Sequence, residues 1–157
     1  MKLDPIDVQI LDILQKDGRI TNAELAKRIK ISPPPTAERV KKLESAGIIK
    51  RYSAIVEPEK VGIESFVFVE VTLNRHVKDS INKFIKTVRK IDEILECYHV
   101  TGEADFLLKV ATCNIKGYEN LVINKLTGLP NILHLKTSVV LSTVKNETAL
   151  KIKGELK

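Results

Sequence analysis

With 157 residues, 43% of them hydrophobic and 29% charged, the chain can bury a real core and is not a disordered polyampholyte. Lys and Arg outnumber Asp and Glu by 26 to 20, a formal charge of +6 that favours a polyanionic partner without identifying one. No apolar run approaches the ~20 residues of a membrane span, and acidic residues interrupt the N-terminus every few positions, so a cytoplasmic protein without a signal peptide is expected.

Ile6, Ile10, Ile13 and Leu14 recur at helical spacing, Val8 and Leu11 widen the stripe, and Asp17-Gly18 ends that helix. Thr21 and Glu24 have the spacing of a capping box, which opens a second helix carrying Leu25, Ala26 and Ile29 inward. Ser32-Pro33-Pro34-Pro35 cannot continue a helix but can begin one, because proline is tolerated where backbone donors have no intrahelical acceptor. A third helix is expected from about Pro35 to Ala46, closed by Gly47. Ile48 to Val56 reads as a strand, and residues 57–62 as a polar linker.

Beyond the linker, Phe66 to Leu73 alternates like a strand, and a helix follows with Val77, Ile81, Phe84, Ile85, Val88 and Ile91 on one stripe. Strands are expected at Leu95–Thr101 and Phe106–Thr112, then a helix with Tyr118, Leu121, Val122 and Leu126 that Gly128 and Pro130 stop, then a strand from Ile132 to Val144. The chain is therefore read as α+β: a three-helix helix-turn-helix domain over residues 1–50, a strand and linker over 51–62, a ferredoxin-like βαββαβ domain over 63–145 and a tail over 146–157. Two helices cover only one face of such a sheet. The other face carries either Phe66 and Phe68 or Val67, Val69 and Val71, so sheets from two subunits are expected to pack together in a homodimer.

Between Lys27 and Arg51 eight basic residues stand against only Glu38 and Glu44, a local excess equal to that of the whole chain. Positive charge gathered on a helix-turn-helix and its approaches is what phosphate binding requires. The candidate DNA-binding set is Ser32, Thr36, Glu38, Arg39, Lys41, Lys42, Lys50 and Arg51. Thr36, Glu38 and Arg39 are expected to be exposed and to reach base edges, Arg suiting guanine and Glu accepting from cytosine. A symmetric dimer would place two such helices on a pseudo-palindromic duplex.

From Leu3-Asp4 through Asp17-Gly18-Arg19, Glu24-Leu25-Ala26, Ile31-Ser32-Pro33, Arg39-Val40, Leu43-Glu44 and Gly47-Ile48-Ile49 to Pro58, the chain resembles the Lrp/AsnC regulators. Val100 to Phe106, the Pro130 region and Thr137-Ser138 resemble that family's sensing domain. The resemblance implies a transcription regulator that dimerises through its sensing domains, assembles further to tetramers or octamers, and binds an amino acid or related effector between dimers. It carries the effector site onto Thr101, Gly102, Glu103 and Asp105, with Thr137 and Ser138. Gly102 and Asp105 also fit a plain hairpin turn and its cap. One departure is Pro34, where relatives usually have a hydroxyl residue.

Two other readings remain open at this stage. An architectural DNA-compacting protein would use the same charge and assembly. A siroheme-decarboxylase-like enzyme would share the architecture, but His76, His99 and His134 are isolated and no catalytic constellation is visible. No enzyme activity, cofactor or metal is expected, and Cys97 and Cys113, lacking the spacing of a metal or redox pair, are expected to be reduced thiols.

Overall fold

Asp4 accepts the Asp7 N–H at 2.8 Å while the Asp7 carboxylate accepts the Asp4 N–H at 3.2 Å, a full capping box that starts α1 (Pro5–Leu14). The computed structural model describes residues 2–74, 79–129 and 131–152. At α2 (Asn22–Ile29) the expected box is only half formed: Thr21 Oγ1 accepts the Glu24 N–H at 3.2 Å, but the Glu24 carboxylate turns to Arg28 at 3.6 Å. Helix α3 (Pro33–Ser45) begins two residues earlier than expected, with all three prolines inside its first turn. That turn is the one place where three missing N–H groups break no intrahelical bond. Lys30 takes the left-handed conformation (φ 58°) in the turn between α2 and α3, and Gly47 does so after α3 (φ 69°).

The helices enclose Leu3, Ile10, Leu11, Leu25, Ile29, Val40 and Leu43. Arg39 ties α3 to the start of α1, its Nη1 donating to Asp4 Oδ2 at 2.6 Å and to Asp7 Oδ1 at 2.7 Å. Asp7 is buried, so losing the guanidinium would leave a desolvated carboxylate without its partner. Arg39→Met is expected to lower the stability of this unit by about 2 kcal/mol, because Asp4 and Arg39 keep partial access to water. The Asp7 backbone N–H, with Arg39 adding to it, holds the Asp4 carboxyl below its ordinary 3.8. Its stabilisation is therefore present above that value and lost as the pH falls through the lowered one. Thermal melts from pH 6 to pH 2.5 should show this acid loss, shallower in Arg39→Met.

The strand expected over residues 48–56 does not form. Tyr52, Ile55 and Val56 are exposed there, and among the described residues no strand pairs with this stretch. A short 3₁₀ turn, Glu59–Val61, closes on Gly62, and the second unit follows.

Its elements are β1 (Ser65–Leu73), α4 (Ser80–Val88), β2 (Ile94–His99), β3 (Phe106–Thr112), α5 (Ile115–Leu121) running into a π-helical turn Val122–Leu126, and β4 (Ile132–Val139). Three positions named above, His76, Val77 and Pro130, lie outside the described residues. The sheet is antiparallel between neighbours in the order β2-β3-β1-β4, the ferredoxin-like arrangement. β1 buries Val67, Val69, Val71 and Leu73 against the helices, together with Phe106, Leu108 and Val110 of β3 and Phe84 of α4. The open face is thus the one carrying Phe66 and Phe68. β4 stops five residues short of the expected end, because Val140 makes the last bond to β1, its N–H donating to the Phe66 carbonyl at 3.0 Å. Cys97 and Cys113 are both free and exposed.

The chain divides into two compact units: residues up to Ile55 together with the segment from Lys145, and Val56–Val144.

Candidate nucleic-acid interface and effector turn

Helix α3 buries Thr36, Val40 and Leu43, so the opposite stripe is the one that can meet a partner. That stripe is exposed along Pro34, Glu38, Lys41 and Ser45, flanked by Pro35 and Lys42. Two of the residues expected to be exposed are not. Thr36 is fully buried, its hydroxyl donating to the Ser32 carbonyl at 2.9 Å, the ordinary fate of a threonine one turn into a helix. Arg39 is half-buried and committed to Asp4 and Asp7. Thr36 is thereby withdrawn from the surface, and the Nη1 of Arg39 is spent on the two carboxylates. Helical phase alone placed Arg39 on the flank of α3; the two acidic residues that claim it stand 32 and 35 positions earlier, beyond the reach of any local pattern.

Of the eight basic residues, Arg28 is also paired, with Asp17 at 3.9 Å and Glu24 at 3.6 Å. Lys27, Lys30, Lys41, Lys42, Lys50 and Arg51 are exposed and make no ion pair among the described residues. The positive field of the segment survives, carried by side chains free to follow a phosphate backbone. Ser32 is exposed and caps nothing: the positions its hydroxyl would normally serve are prolines without an N–H. Tyr52 donates to Glu44 Oε1 at 2.9 Å, and partial burial with that bond pushes its phenol up to about 12.

In the second unit, Thr101, Gly102 and Glu103 form an exposed bend between β2 and β3. Asp105 is buried; its Oδ2 accepts the Leu73 N–H at 2.8 Å, its own N–H donates to the Val71 carbonyl at 2.9 Å, and its carbonyl accepts the Val100 N–H at 3.0 Å. This carboxylate fastens the turn to the end of β1. Gly102 adopts φ +116° although a Cβ there would meet nothing within 4 Å, so backbone conformation and not space demands glycine. Gly102→Val should therefore cost about 1–3 kcal/mol in denaturant unfolding of this unit with no cavity or clash to repair. An unchanged unfolding midpoint would contradict the strain.

Thr137 and Ser138 pair with Val69 and Phe68 of β1, roughly 10 Å along the strand from the turn. Their side chains leave opposite faces: Thr137 lies within 2.6 Å of the Tyr118 hydroxyl on the helix-covered side, Ser138 on the open side. One chain thus gathers Thr101 to Asp105 about one turn but does not bring all six candidates to one point. Tyr118, buried on α5 and bonded to Thr137, was read from its spacing as a core residue only.

On the open face Lys109 pairs with Glu96 at 3.1 Å and lies 6.0 Å over the Phe66 ring, and Lys136 pairs with Glu70 at 3.5 Å. The charges on that face are compensated internally, and Phe66, Phe68 and Tyr98 stand among them. Among the described residues no group of acidic, His or Cys side chains could hold a metal, and no helix is long and apolar enough to cross a membrane.

Residues 3–50 match a winged helix-turn-helix DNA-binding family, and residues 66–150 match the Lrp/AsnC ligand binding domain. The leucine-responsive regulatory proteins of Klebsiella pneumoniae and Escherichia coli K12 are each 44% identical over 151 residues, covering 96% of this chain and 92% of theirs. A transcriptional regulator of Neisseria meningitidis, solved with L-Met, superposes with a TM-score of 0.92 at 36% identity, covering 96% of this chain and 97% of that one. Escherichia coli AsnC superposes at 0.86 with 30% identity, covering 94% and 98%.

Proposed function

The chain belongs to the Lrp/AsnC family, and from that membership we propose how this DNA-binding transcription regulator, which is not an enzyme, meets its two ligands. Helix α3 lies in the major groove, with Glu38 and Ser45 toward base edges and Lys41 and Lys42 toward the flanking phosphates, while Lys27, Lys30, Lys50 and Arg51 extend the contact along the backbone. The observation that carries this reading is the set of six unpaired cations around a helix whose exposed stripe is polar.

The effector is an amino acid, as in the Neisseria relative solved with L-Met. Its carboxylate is held by the backbone of the Thr101-Gly102-Glu103 bend and its ammonium by the Glu103 carboxylate, with Asp105 keeping the bend in place rather than touching the ligand. Thr137 and Ser138 lie apart from the bend, which favours a site completed by a second copy of the chain. The open sheet face joins two copies into a dimer, the unit that reads a pseudo-palindromic duplex, and dimers assemble further around the effector sites. The protein works in the cytoplasm, with the DNA.

Selection of bound genomic fragments with and without a panel of amino acids tests this reading. A recurring two-fold motif whose recovery shifts with one amino acid is expected; a random fragment set with no amino-acid response would sink it. Five of the six free cations are lysines, whose flexible ammonium lacks the planar fork by which arginine reads guanine, and this favours an architectural role as a second reading. Competition separates the two: less than about a tenfold preference over unrelated DNA supports compaction.

A further inference from the structure

Gln15, the residue that closes α1, is bonded to the far end of the sequence. Its Nε2 donates to the Leu150 carbonyl at 3.1 Å and its Oε1 accepts the Leu150 N–H at 2.7 Å. A primary amide paired in both directions with a peptide unit reproduces one rung of strand pairing. The Gln15 side chain is thereby one anchor of a segment with no regular structure of its own. Two residues on, Ile152 packs half-buried against the Leu3, Ile10 and Leu11 cluster. Thr148 lines a cleft with Gly18 and Tyr52 of the same unit. Three separate contacts therefore seat this segment on the helix-turn-helix.

The stretch leading to it is different. Val140 is still bonded to Phe66 in the sensing unit, whereas residues 141–149 are all exposed, Leu141 and Val144 at 96%. The chain thus leaves the DNA-binding unit after Ile55, passes through the sensing unit and returns, anchored at both ends of an exposed run.

We propose that residues 145–152 are a latch: docked on α1, they give the DNA-binding unit a second covalent tie, to β4, beside the tie through residues 56–62. Two exposed hydrogen bonds and one half-buried isoleucine give a docked-to-released ratio on the order of ten to a few hundred. Such a contact is mostly closed yet easily opened. Doubly tied reading units explore fewer orientations, so a dimer with closed latches has less freedom to lose when both helices engage one duplex. The latch is continuous with β4, which carries Thr137 and Ser138, so a ligand acting on that strand acts on the segment that ends in the latch. The consequence for DNA rests on the proposed function; the docking itself does not.

The full chain, Gln15→Ala and a chain ending at Asn146 decide it. Hydrogen exchange should be about tenfold or more faster at the Leu150 amide in Gln15→Ala than in the unaltered protein. On a selected duplex with two half-sites, both variants should bind about five- to tenfold more weakly, while affinity for a duplex with one half-site stays the same. Equal exchange at Leu150 in the two full-length proteins overturns the latch, as does an equal loss on both duplexes. If the unaltered protein prefers neither duplex to unrelated DNA, the DNA reading fails, and the exchange comparison still decides whether the segment docks.

Discussion

Replacing Lys41 and Lys42 together by Ala is expected to weaken duplex binding by about 10- to 100-fold at ~0.1 M salt, and to make the slope of log affinity against log salt shallower by about 2. Each lysine that neutralises a phosphate releases condensed counterions, so removing two contacts removes close to two counterions from the equilibrium. Both side chains are exposed on α3 and neither has an ion partner, so the variant should melt within ~0.5 kcal/mol of the parent. Fluorescence anisotropy titrations at four salt concentrations, paired with a thermal melt, read both quantities. An unchanged slope would remove these two residues from the interface. Arg39→Met makes the opposite signature: stability falls, because that guanidinium serves Asp4 and Asp7, and affinity follows only as far as folding does.

Phe68→Glu should convert the proposed dimer to a monomer in sedimentation at micromolar concentration, a loss of subunit affinity of about a thousandfold or more. Phe68 is 37% exposed in the single chain and sits in register between Lys109 of β3 and Ser138 of β4, at the middle of the open face. Around it the ion pairs Lys109–Glu96 and Lys136–Glu70 leave little uncompensated charge. In a two-fold interface every residue is present twice, so one substitution places two extra carboxylates on a desolvated surface. Folding of the unit should persist, because its core lies on the other face, around Val67, Val69, Val71 and Phe84. An assembly that survives Phe68→Glu would mean that the subunits meet elsewhere.

The fold was legible where one face of an element is buried. α1, α2, α4 and β1 follow their apolar periods because burial dominates each of them, and the order of elements then leaves the ferredoxin-like arrangement. It was illegible where pairing decides. Residues 48–56 carry the isoleucines, tyrosine and valine that favour a strand, yet composition records only a preference, and hydrogen bonds need a partner. The end of β4 has the same cause: Leu141 and Val144 are apolar enough to continue it, but β1 offers its last acceptor at Phe66.

At the interface, the identity of α3 and the sign of its charge could be read from Lys27 to Arg51. Which cations are free could not, because Arg39 is claimed from the start of the chain and Arg28 by Asp17 and Glu24. Asp105 stands at the end of the hairpin turn, but its carboxylate accepts the Leu73 N–H of β1, and the sequence held no sign of Leu73 as the group it serves. The role of Gln15 was equally hidden, since its partner is a peptide group 135 positions away.

Pro33, Pro34 and Pro35 fill the opening turn of α3, and the first N–H after them, that of Thr36, is already given to the Ser32 carbonyl. The opening turn of α3 therefore has no main-chain hydrogen to offer a duplex, and whatever vocabulary it uses there is spelled by side chains alone. Because main-chain contacts are indifferent to mutation and side chains are not, operator choice in this protein should be unusually open to rewriting by exchange of residues at Ser32, Glu38 and Ser45.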